Sequence, residues 1–401
     1  MMAPGNNRFV FVVCGAREHI DTLHFSLEAL KQFTSFEILV VTDQSRNEIP
    51  VKHTRVLNVS APAHLNNQQS AIYLKTGLHN FVPKGFNYCY LDTDVVALSK
   101  EVDDVFNQKK GAITFAADHC SLRQFSPHAV NCGCAEKNQS DRREIQALLA
   151  KFGYHDQVTD PVLLQKQRRL KRQLEIIKHS YIKLLLSAIR YLLSPGIFAL
   201  NKDYFYHRSN NHWTDVAGNV ILYEVPSGVI KQIEQSTAWR WSRLKRRWRS
   251  PEGKDIQLLE CDHLKDAIAT RFNIAINEYW QHWNGGVFLF NDTSHEFMQA
   301  WHQNTLEIFI DPYWQTRDQG TLIATVWQLG LRNSTLLSKK FNFIAYFYNP
   351  ALMISADKSA ISDNALVDKY EPAFIHVFHH FGVKGWEVWD WIDLKLKSVK
   401  T

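Results

Sequence analysis

Two almost continuous apolar runs open the chain, residues 8–14 (RFVFVVC) and 36–42 (FEILVVT), and between them Leu23, Leu27 and Leu30 recur at three- and four-residue steps. An unbroken apolar run belongs to a strand buried on both faces, whereas stepped leucines make one face of a helix, here over 22–33. The pattern repeats with a helix over 70–81, in which Ile72, Leu74 and Leu78 are apolar, and a third strand over 86–91 (FNYCYL). Strand, helix, strand, helix, strand predicts a parallel sheet with crossover helices. A short helix over 102–106 and a strand over 111–117 (GAITFAA) extend it.

From 120 to 275 this rhythm is lost. The segment holds a long helix candidate over 162–193, with Leu170, Leu174, Ile177, Tyr181, Leu184, Ala188 and Leu192 on one face and Arg or Lys at many of the other positions. Ser194-Pro195-Gly196 stops it. A second cluster, 239–249 (WRWSRLKRRWR), interleaves three tryptophans with six basic residues. Alternation then resumes with a turn into a strand over 283–291 (WNGGVFLFN), helices over 296–309 and 318–329, and a last strand over 373–380. The expected organisation is one α/β domain split into halves 8–118 and 276–386, a basic helical insertion over 119–275, and a tail over 387–401.

Charge sharpens the view of the insertion. The net charge of +6 conceals a division, because 17 of the 46 Lys and Arg residues lie within 166–249 against 5 of the 40 Asp and Glu, which leaves the rest of the chain acidic. A basic amphipathic helix beside a Trp/Arg cluster suits an anionic membrane surface, here through 163–249. A solvated basic face that contacts an anionic glycan fits equally well, and a nucleic-acid groove is the weaker reading. No apolar stretch approaches the roughly 20 residues of a membrane span, and 1–8 carry no signal-peptide pattern, so the expectation is a cytoplasmic protein, peripheral on the inner face of the membrane. The six cysteines are scattered and read as reduced thiols, and the local set His119, Cys120, His128, Cys132 and Cys134 fits no compact zinc finger.

Candidate chemistry begins at Asp92-Thr93-Asp94, which closes the third strand. Residues i and i+2 of an extended chain point to one side, so two carboxylates meet where the strands of an open α/β sheet gather ligands. Three further islands follow in order: Asn284-Gly285-Gly286-Val287, Asp318-Gln319-Gly320, and the terminal run from His379 through His380, Phe381, Gly382, Val383, Lys384 and Gly385 to Trp386. By residue type alone, the glycines allow either a turn or a close backbone approach, and Asp318 is an ordinary helix N-cap.

Taken together, the four islands resemble the family 8 glycosyltransferases, the glycogenin and lipopolysaccharide galactosyltransferase group, over about 8–118 and 280–386. The resemblance implies a GT-A fold, a mixed and mostly parallel sheet flanked by helices, that transfers a hexose from a nucleotide sugar, UDP-linked, to a glycan or lipid-linked glycan with retention. It implies Mn²⁺ (or Mg²⁺) held by Asp92, Asp94 and a histidine. The family's His-to-Gly interval selects His379, but Gly382 to Lys384 is one residue short and Gly385 replaces a proline, so His380 and His376 stay as alternatives. By the same resemblance Lys384, beside Gly382, neutralises the departing phosphate, Asp318 meets donor-sugar hydroxyls, and Gln319 lies by the reacting carbon. Lys75 stands where the family has a donor-facing arginine, Thr93 and Asn284 to Gly286 line the donor, and Cys14, Gly15, Ala16 and Asp43 lie where uridine binds. Two alternatives remain: a glycan or nucleotide-sugar binding module without turnover, and a sugar-phosphate nucleotidyltransferase, for which 14–18 make a poor Gly-rich loop. The sugar, acceptor, linkage and oligomeric state are open.

Overall fold

The computed structural model describes residues 6–399 except 155–157, 159, 179, 244, 316, 350, 356 and 364–368. Its central sheet is built from β1 (Asn7–Val13), β2 (Glu37–Thr42), β3 (Val56–Asn58), β4 (Asn87–Leu91), β6 (Thr114–Ala117) and β7 (Trp283–Phe290), in the order β3-β2-β1-β4-β7-β6. The first four strands are parallel, and β7 runs antiparallel to both β4 and β6, which makes the sheet mixed. A smaller sheet joins β5 (Val95–Ala97), β8 (Phe343–Tyr346) and β9 (Phe374–Phe378), with β9 central, parallel to β8 and antiparallel to β5. The two halves expected from sequence thus share one sheet, because β7 inserts between β4 and β6.

Alternation along β1 feeds two cores. Phe9, Phe11 and Val13 face a core with the helix Arg17–Lys31, while Val10, Val12 and Cys14 face one built on the helices Asn67–Thr76, His295–Ile308 and Arg317–Gln328. Each such buried Leu, Val or Phe contributes about 1.5–3 kcal/mol. The segment 387–401, set apart in sequence as a tail, instead begins with the helix Glu387–Val399, whose Trp389, Trp391, Ile392 and Leu396 are buried in the first core. The expected helix 70–81 is divided at Gly77 into Asn67–Thr76 and Leu78–Phe81, and the expected 102–106 helix is a 3₁₀ segment, Lys100–Gln108.

The long helix 162–193 is two helices, Pro161–Lys178 and Tyr181–Leu193. Ser180 is extended, and its side chain accepts from the amide of Lys183, so a new N-cap begins where the periodicity alone reads straight through. Leu170 packs against a four-stranded sheet with Phe198, Trp213, Ile221 and Leu222, yet Tyr181–Leu193 has no buried residue. The Trp/Arg cluster also differs from expectation. Its strands Arg240–Ser242 and Arg247–Arg249 form a hairpin with Trp239 and Trp248 buried against Ile145, Leu149 and Ile233, so these rings are core rather than a membrane belt. Among the described residues no helix is long and apolar enough to cross a membrane.

Candidate functional site

After β4 the chain passes through Asp92, Thr93 and Asp94 in a turn closed by the Val95 amide donating to the Asp92 carbonyl at 3.1 Å, then returns as β5. Strand β5 pairs with β9 so that Val95 lies opposite His376, and the Val377 amide donates to the Asp94 carbonyl at 3.0 Å. This register brings the His376 Nε2 within 3.2 Å of Asp94 Oδ1. Asp92, Asp94 and His376 each offer a ligand atom, and these atoms all lie within 4.8 Å of one another.

Neither His379 nor His380 belongs to that group. The strand ends at Phe378, and both histidines adopt left-handed backbone, φ 63° and 59°. The His379 ring lies 4.2 Å from that of Phe378, and the His380 ring stacks on Phe347 at 3.6 Å. Motif spacing therefore selects a histidine that the strand register does not bring to the carboxylates. The readable signal for His376 was its place inside the apolar strand Phe374–Phe378, where an ionisable residue needs a partner.

A chain of amides orients His376. Asn284 donates through Nδ2 to Asp118 Oδ2 at 3.0 Å, and its Oδ1 accepts from the Gly286 amide at 2.9 Å and from Asn342 Nδ2 at 3.0 Å. Asn342 Oδ1 is then turned to His376 Nδ1 at 3.2 Å, where it accepts a proton held on Nδ1 and leaves Nε2 aimed at the carboxylates. Asp118 anchors the chain: burial raises its pKa, but His119 at 3.0 Å, His282 at 3.6 Å and the Asn284 amide outweigh that and hold it well below the usual carboxylate range. Asn342 and Asp118 had no sequence signal, since each acquires its role only through a partner far away in the chain. Gly286 leaves the room: a β-carbon there would fall 2.3 Å from His376 Cε1.

Beside this group Lys75 Nζ bridges Asp92 Oδ1 at 3.2 Å and Asp318 Oδ2 at 3.1 Å. Burial alone would lower the Lys75 pKa, but the two carboxylates outweigh it and raise the ammonium above its ordinary range. Tyr90 adds a hydroxyl donor to Asp92 Oδ1. Gln319, on the first turn of Arg317–Gln328, accepts from the Gly285 amide at 3.1 Å and donates to the Trp283 carbonyl, so its amide is clamped at the start of β7. Lys75, Asp92, Asp94, Asn284, Gly285, Gly286, Asp318 and Gln319 are thus brought together.

The other predicted residues fall into two groups. Cys14, Gly15 and Ala16 follow β1 at the same sheet edge, where Gly15 takes φ 101° and its amide donates to Asn47 Oδ1 at 3.0 Å. Asp43, at the end of β2, accepts from the Ser45 amide and hydroxyl, Arg46 Nε and the Ala61 amide. Those four bonds match the roughly four acceptor positions of a carboxylate, so here Asp43 ties its own turn to the Ala61 loop. Gly382 and Lys384 lie on an exposed turn, and among the described residues no contact joins them to the carboxylate group.

The donor set suits a hard divalent cation with one nitrogen ligand. Neighbouring ligands on an octahedral ion of Mg²⁺ or Mn²⁺ size are about 3.0 Å apart, close to the 3.2 Å between His376 and Asp94. A second feature is a cleft of about 1050 Å³ between the basic helix Pro161–Lys178 and the segment from Gly385 to Leu394, lined by Lys166, Arg168, Arg169 and Arg172 but also by Asp203, Asp215, Glu387 and Asp390, with Lys166 paired to Asp215 and Arg169 to Glu387. Arg172 is buried there with Nε and Nη1 unpaired among the described residues.

No family model matches this chain, and no curated protein matches it significantly. Among solved structures, the galactosyltransferase LgtC in complex with donor and acceptor sugar analogs aligns over 98% of this chain and 96% of its own, at 10% identity and a TM-score of 0.39. The bifunctional glycosyltransferase WbbM aligns over 99% of this chain and 50% of its own (9% identity, TM-score 0.42). Mouse xyloside xylosyltransferase 1 aligns over 84% and 88% (11% identity, TM-score 0.33). Scores this low leave the fold to be read from the chain's own strands.

Proposed function

We propose that the chain is a metal-dependent GT-A glycosyltransferase that moves a hexose from a UDP-sugar to an anionic glycan or lipid-linked glycan acceptor, with retention. The observation that carries this reading is the meeting of Asp92, Asp94 and His376 beside the Lys75–Asp318 pair, since the first three suit a cation and the others suit a sugar phosphate. Asp92, Asp94 and His376 would hold Mn²⁺ or Mg²⁺, which when bound neutralises the diphosphate leaving group. His376 replaces His379 in this assignment.

The chain's own groups supply the rest. Lys75 holds a fixed positive charge between Asp92 and Asp318, beside the place where the donor sits. Asp318 accepts from sugar hydroxyls, and the clamped amide of Gln319 sets the face from which the acceptor approaches. Lys384 comes to the departing phosphate from its exposed turn as a mobile point charge. No carboxylate is assigned as a covalent nucleophile, which favours attack from the leaving-group side. Arg172, whose Nε and Nη1 have no partner among the described residues, and Arg168 in the same cleft support an anionic acceptor, and the uncovered Leu-rich helix Tyr181–Leu193 supports a site of work at a lipid surface.

A panel of UDP-sugars incubated with Mn²⁺ tests the reading. Donor hydrolysis or transfer that Asp92→Ala and Asp94→Ala abolish is expected. Full metal-dependent activity in both variants would overturn the site, metal-independent donor binding without turnover would favour the binding-module alternative, and a purely β-linked product from an α-linked donor would exclude retention.

A further inference from the structure

Away from the carboxylates, two short cysteine motifs meet. Cys132 and Cys134 flank Gly133, and Cys261 and His263 flank Asp262, with corresponding members 129 positions apart. Each pair opens a helix: Cys134 is the first residue of Cys134–Lys151 and His263 the first of His263–Phe272. Gly133, at φ 74°, makes the left-handed turn that brings its two cysteines to one side.

The distances suit one ion. Cys132 Sγ lies 3.8 Å from Cys261 Sγ, Cys134 Sγ lies 3.6 Å from His263 Nδ1, and all four ligand atoms are within 4.8 Å of one another. Tetrahedral zinc, with sulfur roughly 2.3 Å and nitrogen roughly 2.0–2.1 Å away, places sulfur–sulfur edges at about 3.8 Å and sulfur–nitrogen edges at about 3.6 Å. Polar groups surround the sulfurs as well. Ser126 Oγ lies 3.2 Å from Cys261 Sγ and already accepts from the Leu264 amide, which frees its hydroxyl proton for the sulfur. The His263 amide also reaches the Cys261 sulfur, and two helix N-termini converge on the group.

We infer that Cys132, Cys134, Cys261 and His263 form a structural zinc site of the Cys₃His type. With four protein ligands the site is closed and carries no water for chemistry. Its task is to staple the helix Cys134–Lys151, at the start of the insertion, to the helix His263–Phe272. The latter packs in one core with Trp314, Ile323 and Ala324 around the helix that bears Asp318 and Gln319. The site therefore anchors the insertion against the platform of the carboxylate site. The sequence offered only half of it, because Cys261 and His263 lie 129 positions beyond Cys132 and Cys134.

Metal analysis and zinc-edge X-ray absorption on the full chain, purified without chelators, test this. The expected result is one zinc per chain that survives dialysis, with a shell of three sulfurs and one nitrogen. Replacement by Co²⁺ should give intense thiolate-to-cobalt absorption, lost in Cys134→Ser and Cys261→Ser but kept in Asp92→Asn. The wild-type measurements stand even where a cysteine variant fails to fold. The proposal is overturned by absence of tightly bound metal, by a Cys132–Cys261 disulfide, by a shell with one sulfur, which would be the Asp118, Cys120 and His282 group, or by a shell of oxygen and nitrogen alone.

Discussion

The imidazole of His376 occupies the space that a side chain on Gly286 would need, since a β-carbon there would stand 2.3 Å from Cε1 and 2.7 Å from Nδ1. Neither a strand nor a ring can yield easily inside a paired sheet. Gly286→Ala should therefore displace His376 and lower metal affinity or metal-dependent turnover by about 10–100-fold, the range seen when a metal-ligating histidine loses its support. Far-ultraviolet circular dichroism should stay unchanged. Full activity with native metal affinity would remove His376 from the site.

Asn342 Oδ1 accepts at His376 Nδ1 and so orients the ring with Nε2 toward Asp94. Asn342→Leu should weaken Mn²⁺ binding by about 10-fold or more while leaving KM for the acceptor unchanged. Isothermal titration with the metal alone reads this directly. Equal metal affinity in variant and wild type would show that the amide chain is only structural.

Lys75 is the sole cation that the structure pairs with both Asp92 and Asp318 among the described residues. Lys75→Met leaves two partly buried carboxylates facing each other, with an expected loss of about 1–3 kcal/mol in stability after allowance for their solvent contact. Added Mn²⁺ should restore part of that loss. Urea midpoints with and without the metal measure both effects.

His302 gives a pH signature outside the site. Burial first, and His79 next, push its pKa down to about 4, while its Nδ1 lies 2.8 Å from the Thr76 hydroxyl. A folded pKa below the ordinary 6.5 means that the unfolded chain binds the proton more readily. Its contribution is present above 6.5 and is lost as pH falls from 6.5 toward 4, by at most about 3–4 kcal/mol. The His302 ring resonance in nuclear magnetic resonance should titrate near 4; a midpoint near 6.5 would mean that the ring is hydrated.

The helix Tyr181–Leu193 leaves Tyr181 85% exposed and Leu193 77% exposed. Flotation with phosphatidylglycerol vesicles should carry the chain upward, and Leu185→Asp with Leu192→Asp should abolish this without changing donor hydrolysis. Absence of flotation at low salt would assign the helix to another partner.

Much of the framework was legible from periodicity. The runs 8–14, 36–42 and 86–91 became three neighbouring strands, and the helices expected at 296–309 and 318–329 lie within a residue of His295–Ile308 and Arg317–Gln328. Chain-local signals suffice there, because hydrophobic period and strand length are properties of a short window. Periodicity misread 162–193 as one helix because an N-cap such as Ser180 competes with it over a single residue.

The sequence by itself determined the alternating sheet and helices, the acidic pair at a strand end, and the basic insertion, since each depends on neighbours in the chain. Only the tertiary structure decided that His376 rather than His379 meets Asp94, that Asp43 accepts from the Ala61 amide, and that Cys132 and Cys134 find Cys261 and His263. Those outcomes depend on strand register and on helices brought together across 129 residues, and a one-residue shift in register reverses which side chains face a site.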